Sequence, residues 1–176
     1  MSNFIVTRSG RRFYYEDITE DSIDIDDIAH ALSNTCRYGG HIDRFYSVAQ
    51  HSVIVSELVP AEYRMAALLH DASEAYISDI VSPAKRMLGD YQKLEAKITE
   101  AINKKFNIDT HNEIIKKADL NALYAEAMQF YGSVDGWNID DYAFSHPITP
   151  FQPKDAKELF LHRYGIYGYD DFLRRS

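Results

Sequence analysis

Apolar and polar positions alternate weakly at the start of the chain, with Phe4 and Val6 before Ser9 and Gly10 and with Phe13 and Tyr15 after them. A period of two on either side of a glycine suits a short two-stranded ribbon that turns at Gly10. After Asp24 the period changes. Ile25, Ile28, Ala29 and Leu32 share one helical face, and the helix should end near Arg37, ahead of Gly39 and Gly40. Ser47 is placed to cap a second helix that carries Val48, Val55 and Val59 in one stripe and halts before Pro60. A third begins near Ala61 and runs through MAALLHDASEAY. Pro83 marks the first turn of a further segment, because the first residue of a helix needs no N–H. Helical spacing then recurs over residues 91–106 and 112–131. Gly132, Gly136, Pro147, Pro150 and Pro153 make residues 132–153 a long ordered loop or lid, and residues 154–164 predict a closing helix. The expected fold class is all-α, with a short N-terminal β-hairpin.

The chain has 176 residues, a length that suits one domain over residues 1–176. Apolar residues make up 45% and charged residues 26%, so a packed interior is within reach and a disordered chain is not expected. The longest central apolar run, residues 65–69, falls far below the ~18 residues that a membrane-spanning helix requires. In MSNFIVTRSGRR the basic residues follow the apolar patch, the reverse of a secretory signal, so a cytoplasmic protein is expected. The single cysteine, Cys36, can make neither an intrachain disulfide nor a cysteine-based zinc cluster, which leaves histidine and carboxylate as the available metal ligands. With 19 basic against 27 acidic residues the net charge is −8, which disfavours a nucleic-acid polymer as partner. A small anionic substrate would need a local cation, from Arg, Lys or a metal ion.

Three segments carry polar residues where helical spacing calls for core. In AALLHDASE, His70 and Asp71 follow an apolar run. Such a pair is costly to bury unless each member has a partner, and a divalent ion would satisfy both. His51 falls within the apolar stripe of its helix, three residues after Val48 and four before Val55. Asp119 interrupts a face made by Ile115, Ala122 and Leu123. Taken singly, His51 reads as a core or surface histidine and Asp119 as a charge on a helix face. Together, two imidazoles and two carboxylates form a mixed nitrogen and oxygen set suited to Zn, Mn, Co or Fe. Glu74, four residues after His70 and three after Asp71, would share their helix face; its plainer reading is a solvated charge.

The order of these residues, with the stretches YSVAQHS and LLHDASEAYISDIVSPAK, resembles the HD-domain metal-dependent phosphohydrolases, in particular small bacterial 5'-deoxynucleotidases and compact phage phosphohydrolases. The likeness spans roughly residues 29–126. It implies a helical bundle in which His51, His70, Asp71 and Asp119 hold one divalent ion (Mn, Co, Zn, Fe or Mg) and Glu74 is the catalytic carboxylate. It also implies a reaction in which a metal-activated water attacks phosphorus. Arg37 would clamp phosphate through its planar fork, with Tyr38 where a tryptophan is expected, Asp79 would meet a sugar hydroxyl, and Lys85 would reach phosphate. A helix cap and a solvated lysine are the plainer readings of Asp79 and Lys85. His41 reads as a loop or outer residue, and His30, His111, His146 and His162 show no metal-like spacing. The expected activity is hydrolysis of (deoxy)nucleoside 5'-phosphates by a homo-oligomer. The alternatives are a deoxynucleoside triphosphate triphosphohydrolase and, in another class, a non-catalytic nucleotide- or metal-binding module.

Overall fold

The structure, a computed structural model, describes residues 3–137 and 147–175. It is mostly helical, with one two-stranded antiparallel hairpin at the N-terminus. Strands β1 (Phe4–Val6) and β2 (Arg12–Tyr14) pair Ile5 with Phe13, and Gly10 takes the left-handed φ of 83° that the turn between them requires. Phe13 points inward and stacks on Tyr76 with ring centroids 4.2 Å apart, which fastens the ribbon to the helical body.

Helix α1 (Ile25–Asn34) is capped by Asp24, whose carboxylate accepts from the backbone N–H groups of Asp26 and Asp27. It ends three residues short of the expected Arg37. The backbone beyond it turns to a distant partner: Val48 N–H donates to Thr35, Arg37 N–H donates to Tyr46, and Cys36 bridges Ser47. Helix α2 (Val48–Glu57) starts where Ser47 predicts, with the Ser47 hydroxyl accepting from Gln50 N–H. It is buried on nearly every side because α1, α3, α7 and α8 all pack against it.

The stretch MAALLHDASEAY is not one helix. It forms α3 (Arg64–Leu68), a turn through residues 69–73, and α4 (Glu74–Ile77). Helices α5 (Ser82–Lys85), α6 (Gly89–Phe106) and α7 (Glu113–Tyr131) follow, α7 capped by the Asn112 side chain and closed by Gly132 at a φ of 75°. The main core joins Ile28, Leu32, Val53, Leu68, Ile98 and Phe160, and a smaller cluster of Val55, Ala67, Ile115 and Ala122 sits between α2, α3 and α7.

Helix α8 (Pro153–Arg175) runs well past the expected end at 164, through Gly165 and Gly168. Each interior glycine costs roughly 0.5–1 kcal/mol, but Tyr167 between them is buried, shares a 3.1 Å hydrogen bond with Ser56 and lies under the Arg64 guanidinium. Burial of that ring outweighs the glycine penalty. Of the expected loop, residues 138–146 lie outside the described residues. The rest is fastened at its far end, where Gln129 pairs with the Ile148 backbone and Gln50 receives Phe151 N–H while donating to Thr149. Among the described residues no helix is long and apolar enough to cross a membrane.

Candidate metal centre

The break after Leu68 sets the geometry of the site. In a continuous helix, consecutive side chains diverge by about 100° and His70 and Asp71 would face apart. The turn at residues 69–73 instead lets both reach the place where His51 of α2 and Asp119 of α7 converge. His51 Nε2 lies 3.0 Å from Asp119 Oδ1, and His70 Nε2 lies 3.9 Å from that same oxygen. The ligand atoms of His51, His70 and Asp119 all fall within 4.8 Å of one another. Asp71 flanks this triad, its Oδ2 being 3.2 Å from His70 Nε2 and 3.7 Å from His51 Nε2. Donors that share an ion at about 2.1 Å sit roughly 3–4 Å apart, so these side chains need little adjustment to do so.

Each imidazole is already set for the role. His51 Nδ1 is 2.6 Å from Glu126 Oε1, and His70 Nδ1 is 2.8 Å from the Ala67 carbonyl. Neither oxygen can donate, so both Nδ1 atoms carry a hydrogen, and in the neutral rings both Nε2 atoms present a lone pair. Those two Nε2 atoms are buried without a hydrogen bond. Burial pushes the Asp71 carboxyl up, but the His70 and His51 rings outweigh it and hold the group down to about 2; Asp119 is likewise held well below its ordinary value. Burial draws His70 down, and Asp71 and Asp119 override it and raise that ring well above its usual value. All three shifts report a pocket that calls for positive charge, which protons or a divalent cation would supply. Orphaned Nε2 atoms, fixed tautomers and nearby carboxylates fit such an ion.

Behind His51 lies a residue that the sequence reading missed. Glu126 is 0% exposed and is paired through both oxygens. Burial raises its carboxyl, but Arg37, His51 and the His51 and Tyr46 hydrogen bonds prevail and hold it down to about 2. A signal existed: Ile115, Asp119, Ala122 and Glu126 recur at helical spacing on α7, so Glu126 extends the very stripe that made Asp119 a candidate. Arg37 therefore differs from its expected role as a forked clamp. Its Nε and Nη2 both donate to Glu126, and Nη1 alone is turned toward Asp71, at 3.9 Å. Tyr38 donates to Glu126 as well, and its ring packs edge-on against Tyr131.

Glu74 is not a solvated charge. It is 6% exposed, with Oε2 buried and unbonded, and burial together with the Asp71 and Asp79 charges pushes its carboxyl well above the usual range. It opens α4 and shares no continuous helix with His70 and Asp71, so the turn, and not helical spacing, relates the three. Lys85 is held 2.5 Å from Glu95 and 3.7 Å from Glu74. Asp79 is half-buried, and burial lifts its carboxyl against the pull of Arg37. It follows Ser78, whose φ of 67° and ψ of 158° lie where side chains are rarely tolerated. His41 ends the Arg37–Gly40 turn and is exposed, His146 lies outside the described residues, and His30, His111 and His162 join no metal-capable cluster among the described residues.

Fold and site together define a mostly helical protein, with a short N-terminal hairpin and a half-buried histidine–carboxylate cluster suited to a divalent cation. No family model matches the chain. It is 42% identical over 168 residues to the uncharacterized protein YfdR of Escherichia coli K12, covering 92% of this chain and 94% of that protein. It is also 37% identical over 139 residues to an uncharacterized protein of Rhodobacter capsulatus, covering 70% of this chain and 71% of that protein. The chain belongs to the family that includes YfdR.

Proposed function

We propose that the protein is an HD-type metal-dependent phosphohydrolase acting on (deoxy)nucleoside 5'-phosphates. The observation that carries this reading is the pair of buried imidazoles, His51 and His70, each with Nδ1–H committed to an oxygen and Nε2 bare beside the carboxylate of Asp119. His51, His70 and Asp119 would hold the ion, with Asp71 as the flanking carboxylate. A divalent ion at such a site supplies a water of lowered pKa and polarises a phosphoryl oxygen. The protein's own contributions follow from its side chains. Glu74, buried and protonated more readily than an ordinary glutamate, holds and passes the proton of the attacking water. Lys85, fixed by Glu95, tempers the charge that Glu74 acquires when it ionises. Arg37 offers Nη1 to a phosphate oxygen from its anchor on Glu126, and Asp79 offers an acceptor to a sugar hydroxyl.

The test is a screen of nucleoside and deoxynucleoside mono-, di- and triphosphates with apo-protein reloaded with Mn, Co, Zn, Fe or Mg, reading the phosphate species released. Orthophosphate from monophosphates supports the reading. Triphosphate released from deoxynucleoside triphosphates would replace it with the triphosphohydrolase. Stoichiometric metal without turnover on any substrate would leave a binding module, and no metal uptake at all would sink it.

A further inference from the structure

We propose that Glu126 is a positioning residue that couples the metal-binding end of the site to the Arg37–Tyr38 turn; this rests on the metal-dependent reading above. Its two oxygens divide the work. Oε1 accepts from His51 Nδ1 at 2.6 Å and from the Tyr46 hydroxyl at 2.7 Å, and so faces the metal end. Oε2 accepts from Arg37 Nε at 3.2 Å, Arg37 Nη2 at 3.1 Å and the Tyr38 hydroxyl at 2.9 Å, and so faces the turn.

A fully buried carboxylate costs several kcal/mol unless it is paired and bonded, and this one is met by five donors from four side chains. That degree of satisfaction fixes all the participants together. At one end it determines which nitrogen of His51 is bare and where that lone pair points. At the other it holds Tyr38 at a left-handed φ of 58°, a conformation that favours glycine, and turns Arg37 so that only Nη1 faces Asp71. An anion reaching for Arg37 therefore meets one prong and not a fork. Withdrawing that arginine from Glu126 would loosen the carboxylate that orients His51. A change at either end is thus felt at the other.

The test titrates the full-length apo-protein with Co(II) or Zn(II) alone, in competition with a chromophoric chelator, for wild type and Glu126→Gln. A glutamine can present its oxygen to one end only, and its amide hydrogens then oppose donors at the other. We expect metal affinity to fall by about 10–100-fold with helical content retained, and the affinity for inorganic phosphate at saturating metal to fall with it. A folded Glu126→Gln protein with wild-type metal affinity overturns the proposal. Should that variant fail to fold, Tyr38→Phe keeps the ring and removes only one donor to Oε2. The Tyr38 hydroxyl donates to Glu126 and its ring packs on Tyr131 and Arg37, so a several-fold loss of metal affinity supports the coupling and an unchanged affinity rejects it. Wild-type protein that takes up no ion would sink the metal-dependent reading itself, a result distinct from either variant's behaviour.

Discussion

The Nδ1 of His70 lies 2.8 Å from the carbonyl oxygen of Ala67, three residues earlier in the chain. That oxygen belongs to the last turn of α3, and the backbone bond it accepts from His70 N–H is a long one, 3.5 Å. The same interruption that leaves the carbonyl available to the ring lets Asp71 swing to the His70 side. One local break in α3 thus provides the acceptor that fixes the imidazole and brings the adjacent carboxylate alongside it.

Metal retention should separate Asp119 on α7 from Glu74 at the start of α4. Asp119→Ala removes a member of the triad and is expected to abolish stoichiometric metal and turnover together. Glu74→Gln should keep the metal and lose about 10²-fold or more in turnover, the usual range for a positioned acid–base group. Elemental analysis beside kinetic assays decides; equal metal loss in both variants would overturn this division of roles.

Glu74→Gln should also stabilise the metal-free protein in a pH-dependent way. The folded-state carboxyl sits well above its ordinary value of 4.5, through burial and the Asp71 and Asp79 charges. Below about pH 4 both folded and unfolded chains carry the proton, and Glu74 contributes nothing through linkage. As pH rises past 4.5 the unfolded chain ionises first, so the folded state is progressively penalised, and glutamine removes that penalty. Denaturant midpoints at pH 4 and 7 should show a gain confined to pH 7. A gain equal at both values would contradict the assignment.

Ser78→Gly should raise thermal stability. At φ 67° and ψ 158°, serine occupies a region costing about 1–3 kcal/mol, against roughly 0.5–1 kcal/mol for the extra freedom glycine brings to the unfolded chain. The net gain expected from calorimetry is about 1 kcal/mol. A destabilised glycine variant would show that the strain is absent.

Tyr167→Ala tests the extension of α8. Tyr167 is 4% exposed, whereas its neighbour Ile166 is 38% exposed. Emptying the Tyr167 site should cost about 3 kcal/mol, and Tyr167→Phe about 1 kcal/mol for the bond to Ser56. Ile166→Ala should stay within about 0.5 kcal/mol. Equal losses for the two alanine variants, read by chemical denaturation, would mean that the helix does not dock there.

Helices α1, α2, α6 and α7 were legible in the sequence, along with the N-terminal turn, because period, cap and breaker are written in residues a few positions apart. So were His51 and Asp119, as polar residues on faces that their neighbours make apolar, and His70 and Asp71, as a polar pair closing an apolar run. Three features were not legible. The interruption of α3 leaves no period or breaker in the sequence, while the length of α8 and the pairing of Glu126 depend on groups far away in the chain: His51 and Glu126 are 75 residues apart, and Ser56 and Tyr167 are 111 apart. Local spacing says which side of a helix faces inward, but only the packed structure says what waits there. A buried carboxylate becomes a partner for arginine, tyrosine and histidine, and two glycines stay helical, because tertiary contacts outweigh the preferences of the chain taken locally.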